Sequence, residues 1–280
     1  MVKYFNVFIS FDMEGVGCLT SWQELKKDSP SLAQIRELAT EEVNAAIRGI
    51  RNARQDIGEI IVCDSHAGGE NLLIDMLETG IHLVKGTPRN YYMVEGIDQQ
   101  FDILFFIGYH AMIGTKGAGM DHSYSSSSIH NIKLNGKYVG ETEINAAVAG
   151  HYKVPLGLVS GDDKLVKEVR KFFGQEVEVI ITKYGISRFA AKCRHPHDIQ
   201  QEIEKKAELA VKKVKKLNPF ILRPPINAEI ELINTVIGDV IEPVPGLKRV
   251  SGRKATFRTK NIIEFYRLLR VICNLASTVK

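Results

Sequence analysis

The sequence predicts an α/β fold, with a mostly parallel central sheet flanked by helices and a smaller C-terminal α+β region. Short apolar runs of strand length alternate with longer segments of helical periodicity, which is typical of parallel sheets with crossover helices. After residue 217 the pattern changes, and polar and apolar residues alternate over residues 228–237. We therefore expect a main domain over residues 1–217 and a smaller region, packed on it, over residues 218–280.

Strand and helix signals alternate through the first half of the chain. The first strand, residues 4–11, is rich in Val, Ile and Phe and is expected to be buried on both faces. Ser29 and Pro30 suit the N-cap and first position of a long helix with an apolar stripe, which ends near Asn52. The other elements predicted here are strands over residues 59–63, 81–84 and 101–107 and a short helix over residues 71–77.

Turn and cap signals divide the second half. Asn135-Gly136 lies between two apolar runs and predicts a hairpin over residues 132–139. Gly140 opens a helix that runs through Ala149, and Gly161-Asp162-Asp163 precedes another, with the two acids best explained as N-cap residues. The remaining predictions are strands over residues 156–160 and 177–182 and helices over residues 164–173, 198–217 and 261–276.

Composition narrows the class of protein. The chain has 280 residues, a net charge of +4, 44% hydrophobic residues and 25% charged residues, which is ordinary for a globular protein. Basic residues cluster over residues 164–216, but they are interleaved with Glu and lack aromatic platforms, so we expect no nucleic-acid partner. No apolar run approaches the ~20 residues of a membrane span, and the N-terminus lacks a signal-peptide cleavage site.

The four cysteines, Cys18, Cys63, Cys193 and Cys273, are scattered singly. That spacing fits a reduced cytoplasm better than a disulfide framework, so we expect a cytoplasmic location and no membrane partner. Cys63 and Cys193 lack an adjacent base and are expected to be small core residues. No Walker A or G-x-G-x-x-G pattern occurs, so a nucleotide cofactor is not expected.

Two carboxylates follow the first strand, and they are the strongest sign of a functional site. Asp12 and Glu14 lie two residues apart, so in an extended backbone they point to the same face. Adjacent carboxylates repel each other unless a cation lies between them or one is protonated. Because ligands bind at the carboxyl ends of parallel strands, this pair is a candidate metal site.

Further candidate ligands follow the next strands. His66 and His110 each come directly after a predicted strand, and Glu141 lies in the first turn of a helix. Together with the acid pair they form a mixed nitrogen and oxygen set that suits Zn²⁺ or another first-row divalent ion, with enough ligands for two ions sharing a carboxylate. His122 lies in a Gly- and Ser-rich loop over residues 114–128 and could bind metal, transfer protons or be a plain surface residue.

These motifs, taken in order, resemble those of the zinc-dependent D-aminopeptidases of the DppA type, a family of self-compartmentalising peptidases. The resemblance covers most of the chain to about Cys193, and the order and spacing of the motifs carry it. The motifs are Ser10-Phe11-Asp12-Met13-Glu14-Gly15, Asp64-Ser65-His66, Gly108-Tyr109-His110-Ala111, Met120-Asp121-His122-Ser123, Gly140-Glu141 with Asn145, Val159-Ser160-Gly161-Asp162-Asp163, and Ser187-Arg188 with Ala191-Lys192-Cys193.

The resemblance implies a metallo-aminopeptidase that removes an N-terminal D-amino acid, such as D-Ala, from short peptides. It also implies two zinc ions per subunit, a homo-oligomer in the form of a decameric ring, and His122 as the catalytic residue. Residues 218–280 are then a candidate oligomerisation region. On chemical grounds we prefer His122 as a proton shuttle to His122 as a nucleophile. The implied metal ligands are Asp12, Glu14, His66, His110 and Glu141.

Two alternatives remain open from the sequence. Phe11-Asp12-Met13-Glu14-Gly15 also resembles the aspartyl-nucleophile motif of Mg²⁺-dependent phosphatases of the haloacid dehalogenase type, with Gly161-Asp162-Asp163 as their late acidic motif. That assignment leaves His66, His110 and Glu141 without roles. The second alternative is a non-enzymatic metal-binding protein, which the Gly-rich loop beside the site disfavours.

Overall fold

The computed structural model describes residues 4–279, which form two β-sheets and surrounding helices. Valine, isoleucine and phenylalanine dominate the central strands, because these strands are covered on both faces. The strands are β1 (Phe5–Phe11), β2 (Ile57–Asp64), β3 (His82–Val84), β4 (Ile103–Ile107), β5 (Ile129–Leu134), β6 (Lys137–Tyr138), β7 (Leu156–Asp162), β8 (Glu178–Ser187), β9 (Ala190–Cys193), β10 (Ile226–Leu232), β11 (Lys248–Ser251) and β12 (Lys254–Thr259).

The main sheet has the order β3-β2-β1-β4-β7-β8-β9 and is parallel except for β9. At its centre, Phe11 is paired with Asp64 of β2 on one side and with Ile107 of β4 on the other. The carboxyl ends of these three strands are therefore level. The residues that follow them meet at one edge of the sheet, and the predicted α/β architecture is confirmed.

Six α-helices surround the sheets within the described residues: α1 (Leu32–Ala53), α2 (Glu141–His151), α3 (Asp163–Phe173), α4 (Pro196–Lys212), α5 (Thr235–Ile241) and α6 (Ile262–Ala276). Helix α1 packs on α4, which in turn packs on β7 and β8. Helix α2 packs against β4 and α6, and its first ten residues are all buried. Glu141, the first residue of α2, therefore lies inside the protein.

The second sheet is antiparallel and has the order β11-β12-β10-β5-β6. The predicted hairpin at Asn135-Gly136 is confirmed as the turn between β5 and β6, with φ of 50° and 81°. Strand β5 pairs with β10, so this sheet draws strands from both sides of residue 217. One hydrophobic core includes residues of both sheets.

Several local predictions are wrong. Residues 71–77 form turns instead of a helix, because the Asp64 carboxylate accepts hydrogen bonds from the backbone N–H groups of Asn71 and Leu72. Helix α4 ends at Lys212 and only a short 3₁₀ turn follows. Cys193 is exposed instead of buried, whereas Cys63 is buried as predicted. Within residues 4–279 we find no helix long and apolar enough to cross a membrane.

Candidate metal centre

Two loops cross in close contact where β1 and β4 end. The backbone N–H of Gly15 donates to the carbonyl oxygen of Gly108 at 2.7 Å. A Cβ atom on Gly108, whose φ is +73°, would lie 2.0 Å from the carbonyl oxygen of Asp12. A Cβ atom on Gly15 would lie 2.0 Å from the carbonyl oxygen of Tyr109. Both positions therefore need glycine, and the crossing brings the acid pair beside His110.

Asp12 lies between two histidines. Its Oδ1 atom is 3.3 Å from Nδ1 of His66, and its Oδ2 atom is 3.4 Å from Nε2 of His110. On the first side, Oε2 of Glu14 is 2.9 Å from Nδ1 of His66. On the second side, Oε1 of Glu141 is 3.4 Å from Nε2 of His110. The two oxygens of one carboxylate thus face two separate histidine–glutamate pairs.

His122 extends the second side of the site. Its ring stacks on that of His110, with centroids 4.0 Å apart and an angle of 16° between the rings. Its Nε2 atom lies 3.5 Å from Oε1 of Glu141, and its Nδ1 atom lies 3.1 Å from the carbonyl oxygen of Met120. The structure therefore brings together all six residues that the sequence singled out.

The donor set fits divalent cations. Nδ1 of His110 faces the carbonyl oxygen of Ala111 at 3.0 Å and must donate to it, so Nε2 is the ring atom left to bind a cation. That Nε2 atom is buried and has no hydrogen-bond partner among the described residues, and its nearest polar neighbours are carboxylate oxygens. Ligand atoms of Asp12, Glu14 and His110 lie within 4.8 Å of one another, as do those of His110, His122 and Glu141. A bound cation would satisfy these atoms together.

The protonation equilibria of the cation-free site show the same demand for positive charge. Burial, with help from the Glu14 carboxylate, raises the pKa of Asp12 to about 7. Burial works against ionisation of Glu14, but the neighbouring His66 outweighs it and holds the pKa of Glu14 well below its ordinary value. Burial is likewise outweighed at His110, where the Glu141 carboxylate raises the pKa to about 10. Positive charge is therefore favoured at the centre of the cluster.

A cleft of about 230 Å³ leads to the cluster. Asp12, Glu14, His66, His122 and Glu141 line it, whereas His110 lies beneath its floor. Neither Lys nor Arg occurs among the described residues that line the cleft. The loop over residues 114–128 forms one wall, and hydrogen bonds such as that from Tyr124 N–H to Oε1 of Glu141, at 2.6 Å, tie it to the site. The site is open on one side and strongly acidic.

Sequence reasoning missed two side chains that shape the site. Trp22 lies on a 3₁₀ turn, and its indole N–H donates to Oε1 of Glu14 at 2.6 Å. Lys183 lies on β8 and is buried against the loop after β1. The capping-box spacing of Ser21 and Glu24 could have indicated the turn, but no sequence signal marked Lys183.

Asp162 and Asp163, the later acidic pair in the sequence, lie outside the candidate metal site. Asp162 is the N-cap of α3, as predicted, and accepts hydrogen bonds from the N–H groups of Lys164, Leu165 and Gly119. Asp163 accepts from the N–H of Gly185 at 2.9 Å. With these carboxyl groups bonded elsewhere and no Lys or Arg lining the described cleft, the phosphatase alternative lacks both its late acidic motif and a cation for phosphate.

Comparison with known proteins agrees with this geometry. A sequence profile described as D-aminopeptidase matches residues 5–271. The chain belongs to the D-aminopeptidase family. The enzyme class expected from the sequence, a peptide-bond hydrolase, is thereby confirmed.

Relatives within the family are similar over nearly their whole length. The D-aminopeptidase of Bacillus subtilis (strain 168) is 32% identical over 274 residues, which cover 97% of each chain. A solved structure of Bacillus subtilis DppA, described as a Zn-dependent D-aminopeptidase and a self-compartmentalizing protease, superposes with a TM-score of 0.93. That structure is 30% identical in sequence and covers 99% of each chain. The family resemblance and the fold expected from the sequence are both confirmed.

Proposed function

We propose that this protein is a zinc aminopeptidase with two metal ions per subunit, which removes an N-terminal D-amino acid, such as D-Ala, from short peptides. One observation carries the metal count: the two oxygens of Asp12 face two different histidine–glutamate pairs, at 3.3 and 3.4 Å. One ion would be held by Oδ1 of Asp12, Glu14 and His66. The other would be held by Oδ2 of Asp12, His110 and Glu141.

Zinc bound there supplies a Lewis acid that polarises a carbonyl group and acidifies water. The protein's part is to place the ligands and to move protons. The Asp12 carboxylate would offer one oxygen to each ion. Gly15 and Gly108 fix the backbone distance between the two ligand loops. A fixed spacing of the ligand loops would also fix where a bound peptide meets the metal site.

His122 is suited to accept and return a proton. Burial, together with the neighbouring His110, lowers its pKa, so the ring is neutral at pH 7. Its Nδ1 atom donates to the carbonyl oxygen of Met120, which leaves the lone pair on Nε2. That Nε2 atom is directed to the Glu141 side of the cleft, at 3.5 Å. We assign the proton transfers of peptide hydrolysis to this atom.

The charge of the cleft favours an amino terminus over a carboxyl terminus. Its acidic lining attracts the ammonium group of a peptide, and no Lys or Arg among the described lining residues would hold a terminal carboxylate. The preference for a D-residue rests on the family alone. Peptide substrates also explain an open site, which a structural metal centre does not need.

We further propose that the protein assembles as a homo-oligomer, a decameric ring in the family pattern. The DppA relative is described as self-compartmentalizing. In this chain, Tyr184, Ile186 and Phe189 are exposed on the β8–β9 hairpin, which suits a contact with another subunit. Residues 1–217 would carry the metal site, and residues 218–280 would support it through β10 and contribute to assembly.

The test combines elemental analysis with peptide hydrolysis. Purified protein is expected to contain two equivalents of zinc and to release D-Ala from D-Ala-D-Ala, with activity lost in a chelator and restored by zinc. L-Ala-L-Ala and an N-acetylated D-Ala-D-Ala are the matched controls. Hydrolysis of the acetylated peptide at the same rate would contradict an aminopeptidase. A single zinc equivalent in fully active protein would contradict the paired site.

A further inference from the structure

Trp22 contacts two parts of the site at once. Its indole N–H donates to Oε1 of Glu14 at 2.6 Å, while Oε2 of the same carboxylate lies 2.9 Å from His66. An indole nitrogen can only donate, so this bond fixes which oxygen of Glu14 remains for a cation. Hydrogen bonds of this kind orient metal ligands and tune their affinity.

The ring of Trp22 also confines His122. The two rings meet edge to face, with centroids 5.5 Å apart and an angle of 87°. His122 also stacks on the ring of His110. The imidazole of His122 is therefore held between two rings, which restricts its rotation and keeps Nε2 directed at the cleft.

Local structure holds Trp22 in place. Ser21 and Glu24 form a capping box on the 3₁₀ turn Trp22–Leu25, and Oε1 of Glu24 also accepts from the hydroxyl of Thr20. Side chains of the turn and of the residues before it therefore fix its conformation.

The β8–β9 turn covers the outer face of the indole. The guanidinium carbon of Arg188 lies 5.4 Å from the centroid of the Trp22 ring. The ring of Phe189 makes an edge contact with the indole, with the two centroids 5.7 Å apart. Arg188 also pairs with Asp121, the neighbour of His122, at 3.2 Å. One turn therefore covers the tryptophan and ties down the loop that carries His122.

We propose that Trp22 is a positioning residue that orients Glu14 for one of the two metal ions and confines His122. This inference rests on the proposed function for its catalytic consequence, but its metal-binding consequence is independent of any substrate. The hydrogen bond acts directly on Glu14, whose shortest histidine contact is with His66, at 2.9 Å. Removing this hydrogen bond is expected to weaken the binding of one zinc ion and to leave the binding of the other unchanged.

The test is Trp22→Phe, which keeps an aromatic ring and deletes the N–H donor, compared with Tyr4→Phe, which deletes a hydroxyl at an exposed position before β1. Zinc affinities are measured on the full-length protein by competition with a chromophoric chelator, and folding is checked by thermal unfolding. We expect one zinc ion to bind about 10- to 100-fold more weakly in Trp22→Phe, with the other unchanged. Tyr4 lies at the amino end of β1, away from the proposed ligands at its carboxyl end, so Tyr4→Phe is expected to keep both zinc affinities.

A third variant, Trp22→Leu, separates the two roles. It removes the ring as well, so kcat is expected to fall below that of Trp22→Phe at saturating zinc, with little change in KM. The proposal would be overturned if Trp22→Phe bound both zinc ions as tightly as the wild type does. It would also be overturned if the affinity for both ions fell by the same factor. If wild-type protein hydrolyses no D-peptide while Trp22→Phe still loses one ion, the peptidase assignment fails and the positioning role of Trp22 stands.

Discussion

The ammonium group of Lys183 donates a hydrogen bond to the backbone carbonyl oxygen of Glu14, over 2.6 Å. The same group donates to the carbonyl oxygens of Val16, at 2.9 Å, and Leu19. Lys183 is buried, so this one cation satisfies three carbonyl groups of the loop that carries the acid pair. A side chain on β8 thus sets the shape of the loop after β1.

Replacing Lys183 with Met should be strongly destabilising. The variant fills the space but leaves three buried carbonyl groups without this donor, at a cost of about 1–3 kcal/mol for a buried group left unpaired. We expect the free energy of unfolding to fall by at least about 2 kcal/mol in urea titrations. Lys212→Met is the control, because Lys212 forms an exposed ion pair with Glu208 that contributes at most ~1 kcal/mol. Equal losses in both variants would refute the role given to Lys183.

Replacing Gly108 with Ala should disturb the crossing of the two ligand loops. The new Cβ would meet the carbonyl oxygen of Asp12 at 2.0 Å, in a backbone conformation with φ of +73°. Strain and overpacking each cost about 1–3 kcal/mol, so both stability and zinc content should drop. Gly136→Ala is matched, because Gly136 has φ of +81° but no heavy atom within 4 Å of the added Cβ. It should lose stability from strain alone and keep its zinc.

Asp12→Asn and Glu14→Gln should differ in zinc stoichiometry. Asp12 lies 3.3 and 3.4 Å from nitrogens of His66 and His110, whereas the shortest histidine contact of Glu14 is with His66, at 2.9 Å. We expect Asp12→Asn to weaken the binding of both zinc ions and Glu14→Gln to weaken the binding of one. Elemental analysis of zinc content after dialysis measures the difference. Two full equivalents of zinc in Asp12→Asn would exclude it as the shared ligand.

His122→Ala should abolish turnover while zinc content stays near two equivalents. The residue is assigned to proton transfer, and general acid–base catalysis contributes roughly 10²- to 10⁴-fold to a rate. Steady-state release of D-Ala measures the effect, and added imidazole should restore part of it. Loss of zinc from His122→Ala would instead make His122 a ligand, as its 3.5 Å approach to Glu141 allows.

Glu168 should make the zinc-free protein less stable as the pH rises. Burial, with the nearby Glu143 carboxylate, raises its pKa from 4.5 to about 9. Between these values the folded state holds a proton that the unfolded state has lost. The contribution of Glu168 to stability is therefore complete below pH 4.5 and is lost as the pH rises toward 9. The loss is at most about 1.4 kcal/mol per pH unit.

Glu168→Gln removes that titration and keeps an acceptor for the backbone N–H of Met112, which lies 3.2 Å from Oε1. Free energies of unfolding at pH 5 and pH 8 should differ less in Glu168→Gln than in the wild type. Glu208→Gln, on the surface pair with Lys212, should leave the wild-type difference intact. A parallel pH dependence in Glu168→Gln and wild type would contradict a buried, protonated Glu168.

The sequence could predict which side chains meet at the edge of the main sheet, because the register of neighbouring parallel strands fixes where each strand ends. Once β1, β2 and β4 are adjacent and level, Asp12, His66 and His110 must lie near one another. The position of Glu141 was predictable from local signals too, because the Asn135-Gly136 turn and Gly140 fix the start of α2. These predictions depend on local signals and a few general rules of topology.

Contacts between distant segments were not predictable in this way. Lys183 reaches Glu14 across 169 residues of sequence, and no local pattern marks it. Residues 71–77 carry helical periodicity, but Asp64 competes successfully for their backbone N–H groups. Cys193 was predicted to be a core residue because no base lies beside it in sequence, yet it ends an edge strand and is exposed. In each case a tertiary interaction outweighed the local preference.

The pairing of β5 with β10 also constrains co-translational folding of the chain. Strand β5 ends at Leu134, but its partner begins only at Ile226. Once Glu141 at the start of α2 has emerged, all five proposed zinc ligands have been synthesised, but one edge of β5 stays open until β10 follows. The backbone N–H of Ile233 closes that edge by donating to Ser128, beside the loop of His122. Nascent chains that stall between Glu141 and Ile226 would carry all five proposed metal ligands while β5 still lacks its partner strand β10.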